Sequence, residues 1–289
     1  MHFVEAKGIL SNKNGMNVYR GCTHGCIYCD TRSVCYGFTH QFEDIEVKIN
    51  APQLLEEKLA SKRKKCMIGF GSMCDPYMPI EEELNITRKC LEIIYRYGFG
   101  ATLITKSSRV LRDIALLKEI NEKTKAVVTM TLTTYDENLC KIVEPHVSTT
   151  KERFETLMTL KEAGIPTVVW LTPILPYIND TKENMEGILN DCVRAGVKGI
   201  ICFGAGLTLR EGNREYYYAA LDKHFPGLKQ RYMREYGNAY VLGSPNEKEL
   251  MDMFRRTCNE HHIIGDPDKC FAYLDEFPGE SDGEQLSFL

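Results

Sequence analysis

The sequence predicts an α/β fold: a partial (β/α)6 barrel of TIM type, with a helical carboxyl-terminal extension. Two observations predict it. Short β-branched runs recur six times between residues 16 and 205, and longer stretches with helical spacing of apolar residues separate them. The runs are also apolar on both faces, as expected of parallel strands covered on each side. Six βα units fall short of the eight that close a barrel, so an open one is expected, with its active face at the carboxyl ends of the strands.

In chain order the strands are expected at MNVYR (16–20), KCMIGFG (65–71), ATLITK (101–106), AVVTMTL (126–132), TVVWLTPI (167–174) and GIICFGA (199–205). The intervening helices are read from PQLLEEKLA, LNITRKCLEIIYRYG, RVLRDIALLKEIN, ERFETLMTLKEAG and ENMEGILNDCVRAG. The last two close on glycine, the residue that ends a helix before a returning strand. From about residue 207 the alternation gives way to NREYYYAALDKHF, LKQRYMREYG and NEKELMDMFRRTCNEHH, all helical in pattern. The expected organisation is therefore a barrel core over 1–206, a helical extension over 207–276 and an acidic, flexible tail over 277–289.

With 289 residues, 43% hydrophobic and 26% charged, the chain has the composition of a globular protein. The amino terminus lacks the basic and apolar regions of a signal peptide, and PTVVWLTPILPYI is too short and too proline-rich to span a bilayer. No membrane association and a reducing, cytoplasmic location are expected, so the twelve cysteines read as buried thiols or ligands rather than disulfides. A net charge of −4 argues against a protein coated for duplex DNA, while leaving room for a local basic groove. SKRKKC, residues 61–66, reads as the solvated end of a helix in preference to a phosphate contact.

The stretch YRGCTHGCIYCD, residues 19–30, follows the first strand and holds Cys22, Cys26 and Cys29. Three readings compete. Structural zinc takes four ligands, so it would need His24 or a distant residue in addition. Buried core thiols are the plainest reading, but GCTHGC is a poor place for core packing. A [4Fe–4S] cluster on three thiolates would leave one iron open to a small molecule, and this reading is preferred.

Cys-x3-Cys-x2-Cys with an aromatic residue before the last cysteine resembles the pattern of the radical S-adenosylmethionine enzymes. The resemblance implies a partial barrel, a [4Fe–4S] cluster and S-adenosylmethionine, which is cleaved reductively to a 5′-deoxyadenosyl radical that abstracts hydrogen from a substrate. It also implies a reducing electron donor of flavodoxin or ferredoxin type. Together with CDPYMPIE (74–81), TKSSRVLRD (105–113), TLTTYDE (131–137), EAGIP (162–166) and TPILPYIND (172–180), the loop is similar to the spore photoproduct lyase-like subfamily over roughly residues 5–235.

Carried over residue by residue, the resemblance places Tyr28 against adenine. It places the turn from Ser72 to Asp75 at the methionine amino group and Lys106 at the methionine carboxylate or ribose. Thr131 and Thr133, at period two, are expected to offer hydroxyls there. The departures are informative. The lyase uses a tyrosine directly after the last cluster cysteine, where this chain has Asp30, and its hydrogen-donating cysteine lies nearer Ser72 or Met73 than Cys74. Cys74 is kept as a candidate hydrogen donor, against a small residue beside the cofactor. A relative of the lyase with another reaction or substrate is expected, leaning toward a nucleic-acid base or lesion. The alternatives are a peptide- or metabolite-modifying member and, outside the enzymes, a metal-binding adaptor.

Weaker candidates remain. Cys258, His261, His262 and Cys270 have the spacing of a second metal set but fall in or near an amphipathic helix. Cys35 is an extra thiol close to the cysteine loop, and Tyr216, Tyr217 and Tyr218 offer either base stacking or a packing face. QLSFL, residues 285–289, resembles the peptides that dock bacterial replication and repair proteins onto the sliding clamp, with its last two residues reversed.

Overall fold

Hydrophobic patterning decides the centre of the molecule. The computed structural model describes residues 1–278. Its first part contains β1 (His2–Val4), β2 (Gly15–Met16), β3 (Tyr19–Arg20) and β4 (Glu46–Lys48). The repeating part follows: α1 (Ala51–Ser61), β5 (Met67–Phe70), α2 (Glu81–Leu84), α3 (Ile86–Tyr97), β6 (Gly100–Thr105), α4 (Ile114–Lys123) and β7 (Ala126–Thr131). It continues with α5 (Glu137–Val143), α6 (Thr150–Glu162), β8 (Thr167–Trp170), α7 (Lys182–Ala195) and β9 (Gly199–Ile201). The last part holds β10 (Gly206–Thr208), α8 (Asn213–His224), α9 (Leu228–Tyr236), β11 (Val241–Gly243), α10 (Glu247–Glu260) and α11 (Pro267–Asp275).

Six strands form one all-parallel sheet in the order β2-β5-β6-β7-β8-β9, the open barrel expected from the six apolar runs. In β7 every residue is buried, because both faces are covered. Ala126, Val128 and Met130 join the main core beneath the helices, whereas Val127 joins Val168, Ile201, Cys270 and Leu274 on the inner face. Helix α11 supplies the last two of these side chains, so it plugs the inside of the barrel from the carboxyl-terminal end of the chain.

The run MNVYR is not one strand. Met16 pairs with Phe70 in the large sheet, while Tyr19 and Arg20 pair with β4 in a separate sheet of order β1-β4-β3. The switch is held at Asn17, whose side chain accepts the Met73 N–H at 3.0 Å and whose carbonyl accepts from Lys48 Nζ at 2.8 Å. The helix expected from RVLRDIALLKEIN likewise begins later: Ser108–Asp113 is a 3-10 turn and α4 starts at Ile114. Asp113 is buried there with Arg88 at 2.7 Å and Arg112 at 2.8 Å.

After β9 the chain makes an antiparallel hairpin from β10 and β11, with α8 and α9 between them. Tyr217, Leu221 and Tyr232 of these helices share an apolar cluster with Cys26, Ile27 and Tyr28, so the insertion covers the cysteine loop. Helix α10 returns to the barrel, burying Leu250, Phe254 and Cys258 in the main core. No helix among the described residues is long and apolar enough to cross a membrane. The QLSFL segment lies outside the described residues.

Candidate active site

The loop that carries the cysteines leaves β3 through Gly21 and enters the carboxyl face of the sheet. Gly21 has φ +89°, and a Cβ there would meet the Phe42 carbonyl oxygen at 2.4 Å. Gly71, directly after β5, has φ +92° and the same kind of conflict with the Ile104 carbonyl, also at 2.4 Å. Both glycines let a loop turn sharply into the cavity above the strands.

That cavity has a volume of about 1140 Å³. Cys22, Cys26, Cys29, His24 and Tyr28 line it from the first loop, and Ser72, Cys74 and Asp75 from the second. Lys106 lines it from the third, with Thr129 and Thr131 from β7. Of the ten candidate residues, nine therefore meet around one space. Thr133 is the exception: it is buried beside Thr134, and its carbonyl accepts from Asn179 at 2.8 Å and Asn184 at 3.0 Å. Strand β7 ends at Thr131, so the alternation that brings a second hydroxyl to the cavity runs back to Thr129 and not forward.

Asp75 organises the loops. Its Oδ1 accepts from the Tyr77 N–H at 2.8 Å and the Thr105 hydroxyl at 2.7 Å, and its Oδ2 accepts from the Lys106 N–H at 2.7 Å. His24 Nδ1 lies 3.5 Å from the same Oδ2, which joins the cysteine loop to this brace. Lys106 carries its ammonium into the cavity, 5.9 Å from the Tyr28 ring centre. Burial works against its charge, but the surrounding Cys26, Glu144, Asp75 and Cys29 outweigh burial and raise its pKa.

Sequence reasoning missed the anchor of Tyr28. Its hydroxyl donates to Glu144, and Glu144 pairs with Arg153 Nη2 at 2.5 Å, with both side chains fully buried. Arg153 Nη1 in turn donates to the Thr131 carbonyl at 2.8 Å. A residue of the cysteine loop is thus tied to the end of β7 through two charges, and nothing in the local sequence pattern marks either one. Also missed is an aromatic group, Trp170, Phe203 and Phe271, that lines the same cavity. The Phe203 and Phe271 rings stack at 6.3 Å between centroids, and Phe203 is 58% exposed. The runs TVVWLTPI and GIICFGA contain Trp170 and Phe203, but the third ring comes from the distant helix α11.

The donor set fits an iron–sulfur cluster with a polar small molecule beside it. Burial pushes the Cys22 thiol up to about 12 and raises that of Cys26 as well, and a cation such as iron would favour both as thiolates. His24 Nε2 and Thr131 Oγ1 are buried side-chain atoms without a hydrogen-bond partner, and both residues line this cavity. Such atoms are costly unless a ligand or water meets them.

The remaining candidates sit elsewhere. Cys258 is in the main core, Cys270 donates its S–H to the Ile264 carbonyl at 3.2 Å, and His261 and His262 are exposed. Among the described residues these four do not converge as a ligand set. Cys35 is exposed, 3.4 Å from Arg210 Nη1. Tyr216 stacks under the Arg32 guanidinium at 3.8 Å, and Tyr217 is buried with its hydroxyl 3.0 Å from that of Tyr232. Cys74 donates its S–H to the Tyr19 carbonyl at 3.0 Å. Because that bond holds the thiol, Cys74→Ala is expected to release 5′-deoxyadenosine and form product in the wild-type ratio. A fall in product relative to 5′-deoxyadenosine would put Cys74 in the hydrogen relay instead.

A three-thiol loop at the carboxyl end of an open parallel barrel defines a cofactor-dependent α/β enzyme. The chain belongs to the radical SAM superfamily, whose family model matches residues 16–192. Members bind a [4Fe–4S] cluster and S-adenosylmethionine and need a reductant, so the adaptor alternative falls. An uncharacterized protein of Mycobacterium tuberculosis is 25% identical over 262 residues, covering 87% of this chain and 75% of its own. The Radical SAM Nalpha-GlyT isomerase of Pseudomonas phage M6 is 24% identical over 157 residues, 54% of this chain and 32% of that one. Among solved structures, a spore photoproduct lyase variant with bound AdoMet and dinucleoside spore photoproduct has a TM-score of 0.60. Its identity is 15%, over 86% of this chain and 74% of that chain, a likeness of fold.

Proposed function

We propose that Cys22, Cys26 and Cys29 hold the cluster and that the cavity walls hold S-adenosylmethionine, for a reaction on a nucleic-acid base or base lesion. When bound, the cluster and S-adenosylmethionine supply a 5′-deoxyadenosyl radical. The chain's own residues do the rest. Lys106 offers a cation to the methionine carboxylate, and the Ser72–Asp75 turn meets the methionine end. Tyr28 presents its ring to adenine while Glu144 fixes its hydroxyl, and the unpartnered Thr131 hydroxyl faces the ribose. Thr129 takes the place expected for Thr133.

The observation that carries the substrate reading is the group of aromatic side chains that lines the same cavity as the cysteines. Trp170, Phe203 and Phe271 offer flat apolar faces of the kind on which bases stack, at about 1–3 kcal/mol per base. The dinucleoside ligand of the spore photoproduct lyase structure supports the same class. A second reading has its own observation. Glu247, Asp268 and Asp275 also line the cavity, and carboxylates there favour a cationic peptide or metabolite over a phosphate backbone.

The test is 5′-deoxyadenosine release from reconstituted, reduced protein, with intact DNA, irradiated DNA or neither. A rise with either DNA that is lost in Phe203→Ala supports a base substrate. Release indifferent to DNA transfers the reading to peptides or metabolites. Phe203→Ala is expected to raise KM about tenfold or more, the equivalent of losing one stacking partner, with cluster content unchanged.

A further inference from the structure

The amino-terminal sheet holds a group of side chains that the cavity does not use. His2 on β1, His40 on the loop before β4 and Glu46 on β4 each offer a ligand atom, and these atoms lie within 4.8 Å of one another. We propose that His2, His40 and Glu46 form a second metal site, which takes a divalent ion of the zinc type and clips the first strand to the base of the cysteine loop.

Strand pairing brings two of the three together, since His2 is the register partner of Glu46 in the parallel β1–β4 pair. The third arrives on the loop, with its ring centre 5.0 Å from that of His2 and nearly perpendicular to it, at 89°. All three side chains are partly buried.

Both imidazoles are already held from behind. His40 Nδ1 lies 2.9 Å from the Gln41 carbonyl, while its Nε2 faces Glu46 Oε1 at 2.7 Å. His2 Nδ1 lies 3.0 Å from Asp44 Oδ2, which leaves Nε2 for a ligand bond. A backbone carbonyl behind one histidine and a carboxylate behind the other are the outer partners that metal-bound histidines have. Two neutral imidazoles and a carboxylate suit zinc, with ligand bonds of about 2.0–2.2 Å, and side-chain rotation alone can gather atoms this close.

Arg20 is the competing cation, 3.6 Å from Glu46 Oε1. It has other commitments: its Nη2 donates to the carbonyls of Tyr36 at 2.9 Å and Gly37 at 2.8 Å, and it stacks on Phe38 at 4.7 Å. These contacts do not involve Glu46 and would hold the guanidinium if the carboxylate turned to an ion.

The placement gives the site a purpose. Two residues beyond His40, the Phe42 carbonyl accepts the Cys22 N–H at 3.2 Å, so the loop that the ion would pin is the one supporting the first cluster cysteine.

The experiment uses protein whose [4Fe–4S] cluster is already assembled, so that Cys22, Cys26 and Cys29 are filled. Zinc is titrated in competition with a chromophoric chelator, and thermal unfolding is followed with and without zinc. Wild type is expected to take up one equivalent and unfold at a higher temperature with it. His40→Ala and Glu46→Gln are expected to lose both effects, and Asp44→Asn to weaken binding about 10–100-fold. Should His40→Ala fail to assemble its cluster, His2→Ala on the first strand gives the same reading. No uptake by wild type, or uptake that survives His40→Ala and Glu46→Gln, overturns the proposal and leaves an ordinary ion-pair cluster.

Discussion

Cys26→Ala is expected to yield a protein without iron–sulfur absorbance and with no 5′-deoxyadenosine release above background. The same outcome is expected for Cys22→Ala and Cys29→Ala. The chain has twelve cysteines, so the prediction is selective. Only one other cysteine, Cys74, lines the cavity, and its thiol is bonded to the Tyr19 carbonyl. Cys35→Ala, Cys258→Ala and Cys270→Ala are expected to keep full cluster content, since those thiols lie on the surface, in the main core and on the buried face of α11. Iron and labile sulfide per chain, measured anaerobically beside 5′-deoxyadenosine release, give the check. Full iron in Cys26→Ala would mean that another ligand takes its place and that the three-cysteine assignment is wrong. The effect is large because three thiolates are the whole protein ligand set in this proposal, and removing one leaves two irons without a protein bond.

The barrel strands were legible because each is buried on both faces, so a bare apolar run sufficed to locate β5, β6, β7, β8 and β9. The first strand was misread for the same reason. MNVYR is apolar enough for one strand, but Asn17 takes the chain from one sheet to another through contacts with Met73 and Lys48, residues far away in sequence. The cysteine loop was legible because three ligands within eight positions need no tertiary information. The alternation that points to Thr133 runs beyond the end of β7 at Thr131, and the strand's own alternation brings Thr129 to the cavity instead. Trp170, Phe203 and Phe271 meet only after α11 folds into the barrel, so no local pattern links them. Glu144 and Arg153 fall in this last group, and their burial is the least readable feature of the site.

Arg153→Met should destabilise the protein by about 3–5 kcal/mol, the cost of leaving one member of a fully buried ion pair alone. The damage should reach the site. Glu144 would lose its cation while still accepting from Tyr28, and the Thr131 carbonyl would lose its donor. Weaker S-adenosylmethionine binding with unchanged iron content is the expected functional signature, because none of these groups is a cluster ligand. The dependence on pH separates this account from simple loss of packing. Burial alone would raise the Glu144 pKa, but Arg153 and Lys106 outweigh it and the pKa is lowered. A depressed carboxyl contributes stability that is present above the unfolded value of about 4.3 and lost as pH falls through the folded value. In Arg153→Met the balance reverses toward burial, Glu144 binds its proton more readily, and acid relieves the unpaired charge. The stability gap between wild type and variant should therefore narrow as pH is lowered from neutral toward about 5. Arg153→Met combined with Glu144→Gln should recover most of the loss at neutral pH, since glutamine still accepts from Tyr28 and carries no charge. Chemical unfolding of the three proteins across that range tests the argument. A gap that does not change with pH, or a double variant no more stable than the single one, would show that Arg153 acts through its volume and not through its charge.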